Sequence, residues 1–123
     1  ARDARRQADV RQIATAMELC YDDPLCVGAQ KYPSNAVADA ANAITNIDTD
    51  SLPCYMCPVP VDPTNTSNQQ YKWSKNDAVN STKYCVYTQL ERSPNNWIAA
   101  SEKGTRFDLT AKPAIDLGAA TCW

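Results

Sequence analysis

Proline placement does most to limit what this chain can fold into. None of its eight prolines falls before residue 24, and six lie between residues 24 and 63. A proline ring removes a backbone donor and disfavours helical geometry at the residue before it. Long regular elements are therefore confined to the two ends. Residues 1 to about 22 hold neither Gly nor Pro and are rich in Ala, Arg and Gln, a composition that favours helix. From Val10 the apolar positions are Val10, Ile13, Ala14, Met17, Cys20 and Tyr21, with Leu19 to one side, which predicts one buried helical stripe. Pro24 predicts that the helix stops at Asp23.

The first nine residues read differently. Ala1 to Asp9 show no apolar stripe beyond alanines, and a helix polar all round has no reason to lie on its own core. This stretch is expected either as a solvated, frayed end or as a stem projecting toward another molecule. Arg2, Arg5 and Arg6 share one helical face, with Asp9 placed to pair with Arg5 one turn on.

The proline-rich middle reads mostly as loop. Within it, Ser34 or Asn35 is placed to cap a short helix carrying Val37, Ala40, Ala41, Ile44 and Ile47 on a narrow apolar face. Asp48, Thr49 and Asp50 end that pattern. Tyr71-Lys72-Trp73 reads as a short strand and Ser74 to Asn80 as a turn. The strongest β signal is Tyr84 to Leu90, with Tyr84, Val86, Thr88 and Leu90 on one face. Trp97 to Ser101 predicts a second strand, Glu102-Lys103-Gly104 a tight turn, and Thr105 to Leu109 a third strand. Such short connections imply antiparallel pairing. Residues 110 to 123 read as irregular.

These elements predict a single α+β domain over residues 1–123. A long N-terminal helix (1–22) packs on a small antiparallel sheet followed by a C-terminal segment (81–123), and a loop region with a short helix (23–80) lies between them. The length, with 44% hydrophobic and 21% charged residues, suits one modest core.

Six cysteines in a domain this small predict three disulfides formed in an oxidising compartment. They are Cys20, Cys26, Cys54, Cys57, Cys85 and Cys122, and fifteen pairings are formally possible. Cys20–Cys26 would pin the chain as it leaves the helix, and Cys85–Cys122 would tie the C-terminal segment to the sheet. Those two with Cys54–Cys57 form the favoured set; exchange of Cys54 or Cys57 onto Cys122 is the main rival. Cys54-Tyr55-Met56-Cys57 lacks the second Cys-x-x-Cys of a zinc site and the helix start of a redox centre.

Histidine is absent, which removes Ser-His-Asp and Cys-His nucleophilic sites and mixed Cys/His zinc fingers. The acids are scattered and single out no catalytic pair, so no enzyme activity is expected. Asp22-Asp23, Asp48-Thr49-Asp50 and Asp62 lack the alternating ligands and glycine of a calcium loop and read as solvated loops or caps. No metal or cofactor is expected. Net charge is −2, which is silent about nucleic acid. Tyr71 and Trp73 with only Lys72 between them read as sheet packing rather than base stacking. Asn65-Thr66-Ser67 and Asn80-Ser81-Thr82 are sequons, a pattern common by chance.

The run from Ala1 to Ile13, continuing through Met17-Glu18-Leu19, resembles the C-terminal half of the long first helix of type IV pilins and type II secretion pseudopilins. Asp62-Pro63 leading to Tyr71-Lys72-Trp73 is similar to the Asp-Pro turn and aromatic strand of many such heads. Tyr84 to Glu91 and Trp97 to Gly104 are similar to the paired strands that follow. The resemblance implies a pilin-like fold and a structural role as a filament subunit that assembles by packing of first helices, its head exposed at the cell surface. Its partners would be identical or related subunits, with Arg2, Asp3, Arg5 and Arg6 near the neighbours. It would meet the membrane only through an apolar helix expected upstream of Ala1. Major secretion pseudopilins often carry a calcium site near the C-terminus, and no such ligand set is read here, which favours a pilus for adhesion, motility or DNA uptake. A secretion pseudopilin or a secreted disulfide-rich binding module acting alone are the alternatives.

Overall fold

A computed structural model describes residues 2–26, 30–41, 56, 59–66, 69–76, 82–118 and 120–123. One helix, α1 (Arg2–Asp22), packs on a five-stranded antiparallel sheet of β1 (Ala40–Ala41), β2 (Lys72–Trp73), β3 (Cys85–Gln89), β4 (Trp97–Ser101) and β5 (Gly104–Leu109), in the spatial order β1-β2-β3-β4-β5. The helix, the aromatic strand, the two long strands and the closing hairpin fall where the sequence pattern places them. The α+β expectation holds at that level.

The helix ends as Pro24 requires. The Asp23 amide donates to the Cys20 carbonyl (3.2 Å), and the Asp23 carboxylate accepts from the Leu25 amide (2.8 Å). The Cys20–Cys26 disulfide closes the turn.

Strand alternation divides the core into two layers. Tyr84, Val86, Ile98 and Ala100 face the helix and meet Val10, Ile13, Met17 and Cys20. Cys85, Tyr87 and Ala99 face the other way and are covered by the C-terminal segment through Leu117 and Cys122. The Cys85–Cys122 disulfide locks that cover in place, which excludes the rival pairing of Cys122. Cys54 and Cys57 lie outside the described residues.

A register shift opposite Trp97–Ala99 puts an irregularity into β5. Phe107 and Leu109 are two residues apart and would share a face in a regular strand. Here Phe107 packs on the helix side and Leu109 on the far side. The hairpin between β4 and β5 closes through Glu102 and Lys103, and Gly104 takes φ 118°, a region that L side chains rarely adopt.

The short helix expected from residue 35 does not form where it is described. Ala40–Ala41 is an edge strand paired with β2, and Ile44, Ile47 and Asp48 to Asp50 lie outside the described residues. The reason is local. The Asn35 amide group donates to the carbonyls of Val37, Trp73 and Ser74, which ties this stretch to the sheet, and Asp39 sits at φ 58°. The turn expected over Ser74 to Asn80 is described only to Asn76. There Lys75 forms a parallel bridge with Asp116.

Candidate assembly face and its buried ion network

The largest departure from the sequence reading lies in the first two turns of α1. Arg6 and Asp9 are buried, and Arg6 is 0% exposed. The polar start of the helix is therefore docked on its own domain. The buried stripe continues from Cys20, Met17, Ile13 and Val10 back to Arg6 at the same spacing.

A guanidinium can be buried only if its charge is opposed and its donors are filled. Arg6 meets both conditions. Nε and Nη2 make a bidentate pair with the Asp62 carboxylate at 2.7 and 2.9 Å. Nη2 also donates to Thr64 Oγ1 at 3.1 Å, and Nη1 donates to Asp3 Oδ1 at 2.7 Å and Glu91 Oε2 at 3.0 Å. Those five contacts match the five N–H donors of an arginine.

The carboxylates do further work on the backbone. Asp62 accepts from the Thr64 amide at 2.8 Å, forming an Asx turn after Val61. Asp3 accepts from the Glu91 and Arg92 amides at 2.9 and 3.0 Å, which ties the first helical turn to the loop after β3. Arg2 completes the cluster through both oxygens of Glu91. Asp62 was expected as a solvated loop acid and is instead fully buried. Burial alone would raise the carboxyls of Asp3 and Asp62. At Asp3 the two amides and Arg6 outweigh it; at Asp62, Arg6 and the Thr64 amide do. Both groups are held below the usual carboxylate range.

Asp9 links this network to the core by accepting from the Tyr71 hydroxyl at 2.6 Å. It also meets Arg5 at 3.8 Å, the helix-spaced pair the sequence predicts. Tyr71 and Trp73 are buried in the helix-side core, as expected of sheet packing.

The four residues expected near a neighbouring subunit thus divide. Arg6 is enclosed and its donors are filled within the chain. Asp3 is largely covered, and Arg2 is held by Glu91. Arg5 keeps a side chain 61% exposed. The other exposed side chains of α1 include Arg2, Arg11, Glu18, Leu19 and Asp22, of which Arg2 pairs with Glu91, Arg11 lies over the Phe107 ring at 4.6 Å, and Glu18 accepts from Tyr32. Along the helix the exposed cations lie in the N-terminal half and the exposed acids in the C-terminal half. Leu19 is 49% exposed in the acidic half.

At the far end of the helix the contacts are aromatic. Tyr21, Tyr32 and Tyr84 pack with ring centroids 4.6 and 4.8 Å apart, and the Tyr32 hydroxyl donates to Glu18 at 2.7 Å. The Tyr84 hydroxyl is buried and meets no hydrogen-bond partner among the described residues. Among those residues no group of three or more Cys, Asp or Glu is arranged to hold a metal ion, and no helix is long and apolar enough to cross a membrane.

The pairing of Asp62 with Arg6 is what the sequence reading missed. An Asp-Pro pair after a proline-rich loop marks a turn, and a buried partner for Arg6 one stripe position before Val10 would have followed from extending the spacing. Comparison with known protein families, curated proteins and solved structures finds no match for this chain.

Proposed function

We propose that the chain is the head of a type IV pilin-like filament subunit, with a structural rather than catalytic role. The observation that carries this reading is the division of α1 into two faces. Its inner face is buried in the head along the whole helix, while its exposed charges are separated along the axis, basic at the start and acidic at the end. Parallel copies staggered along a common axis would bring the basic half of one helix beside the acidic half of the next. Opposite charges facing each other fix register and partner choice more than they add affinity.

In this reading the partners are identical or related subunits, and the heads lie at the cell surface. The two described disulfides support passage through an oxidising compartment. They equally suit a secreted disulfide-stapled module acting alone, which is the competing reading. A secretion pseudopilin would use the same helix packing.

Arg5 is the probe of choice, because Arg6 is needed inside the fold. Arg5→Glu in the full-length protein is expected to abolish or sharply reduce filaments in electron micrographs. The melting of the isolated head should change by no more than about 0.5 kcal/mol, the usual range for surface substitutions. Filaments of normal yield from that variant would count against assembly through this face.

A further inference from the structure

Among the described residues the sheet has two edges of unequal character. β1 is two residues long, whereas β5 runs for six, and among the described residues no backbone group outside β4 pairs with it. Edge strands are normally defended by charge and irregularity, and β5 has both: Arg106 and Asp108 stand exposed on either side of Phe107, 47% and 76% open, and the register shift adds one residue to β5 between Arg106 and Leu109. The two charges have opposite signs, and they are placed antisymmetrically about Phe107. That pattern is complementary to its own copy.

We propose that β5 pairs antiparallel with β5 of a second copy, centred on Phe107, joining two heads into one continuous ten-stranded sheet. In that register Arg106 of each copy faces Asp108 of the other. The Arg106–Asp108 pair made within each chain at 3.0 Å is exchanged for one between chains, two pairs given up for two gained. A two-fold axis normal to the sheet leaves both helices on the same side. Each α1 packs chiefly over β4. The two β4 strands stand three strand spacings apart, about 14 Å. Helices about 10–12 Å across fit at that separation, with each Arg11 lying over its own Phe107 ring at 4.6 Å beside the axis. An isologous contact cannot recur within a polar filament. This pairing therefore lies outside the stack proposed above: it joins free heads or heads on neighbouring filaments, and it stands or falls independently of the filament reading.

The test is sedimentation of this chain over a concentration series up to about 1 mM, since a small edge contact is in the weak range of interfaces. The wild-type chain is expected to dimerise. Arg106→Asp and Asp108→Arg each set like charges across the two-fold axis and should weaken the dimer about tenfold or more. The double exchange Arg106→Asp/Asp108→Arg restores opposite signs and should restore the dimer. Circular dichroism confirms that each variant is folded. A wild-type chain that stays monomeric throughout overturns the proposal, as does a dimer indifferent to the single substitutions or not recovered by the double one.

Discussion

The two halves of α1 occupy one buried stripe but hold to the head by different chemistry. From Val10 to Cys20 the stripe is apolar and meets Val86, Ile98, Ala100 and the tyrosines, so its attachment grows with buried area. One turn earlier the same stripe carries Arg6, whose attachment depends on three carboxylates placed by separate segments: α1 itself, the loop at Asp62 and the loop at Glu91. The apolar half tolerates small shifts, because contact area is non-directional. The ionic half does not, because five donors must each find an acceptor. The difference teaches that a helix face is defined by its spacing and not by its hydrophobicity.

Truncation at the two ends is the strongest way to break this comparison. Arg6→Ala leaves Asp62 buried without its counter-charge and is expected to cost about 3–5 kcal/mol in urea denaturation. Met17→Ala at the apolar end should cost a similar 2–5 kcal/mol, through a cavity rather than a stranded charge. The two separate on repair. Arg6→Met with Asp62→Asn removes both charges while keeping an acceptor for the Thr64 amide, and it should recover part of the Arg6→Ala loss. A cost below about 0.5 kcal/mol for Arg6→Ala would show that the polar turns are not docked in solution.

Acid should act on one end first, with a smaller effect than losing the guanidinium. Asp3 and Asp62 have carboxyls lowered by folding, so the stability they contribute is present above the unfolded carboxylate value of about 3.9. It is lost as pH falls through their lower folded values. Hydrogen exchange below about pH 4 is expected to rise at the amides of Glu91, Arg92 and Thr64 before it rises beside Ile13 and Met17. Simultaneous opening of both ends would merge them into one unit.

The smallest contrast uses one substitution at two places. Tyr71→Phe removes the donor to Asp9 and should cost about 1–2 kcal/mol. Tyr84→Phe removes a buried hydroxyl with no partner among the described residues and should be neutral or stabilising by up to about 1 kcal/mol. Thermal melts of the two variants that shift in the same direction by the same amount would erase the distinction.

Much of this was legible in the residues. Tyr84 to Leu109 alternates cleanly and closes on a two-residue turn before Gly104, so β3, β4 and β5 could be placed almost to their ends. Pro24 set the end of α1. The errors at the candidate site share one cause, which is reading polarity as exposure. Arg6, Asp9 and Asp62 each look solvated alone and are buried because they satisfy one another or a tyrosine across 56 and 62 residues of sequence. Ala40 and Ala41 misled in the opposite sense. Alanine favours helix, but their pairing with Trp73 and Lys72 and the Asn35 contacts to the sheet override that local preference. The irregularity that sends Leu109 to the far face has no signature in the alternation. For the candidate face, the sequence located the charged helix start but could not show which of its arginines turn inward.

The Asp3 carboxylate gives the molecule a definite response to tension. It grips the Glu91 and Arg92 amides at the end of β3 while lying in the first turn of α1. A pull on the helix start along its axis reaches this clamp and the Arg6–Asp62 pair before it reaches the apolar stripe. The load then passes into β3, which is paired along its whole length with β4 and tied by Cys85 to Cys122. The helix start is thus held by ionic contacts, whereas β3 is held by a full ladder and a covalent bond. Under load the first helical turns would peel while the sheet keeps its shape.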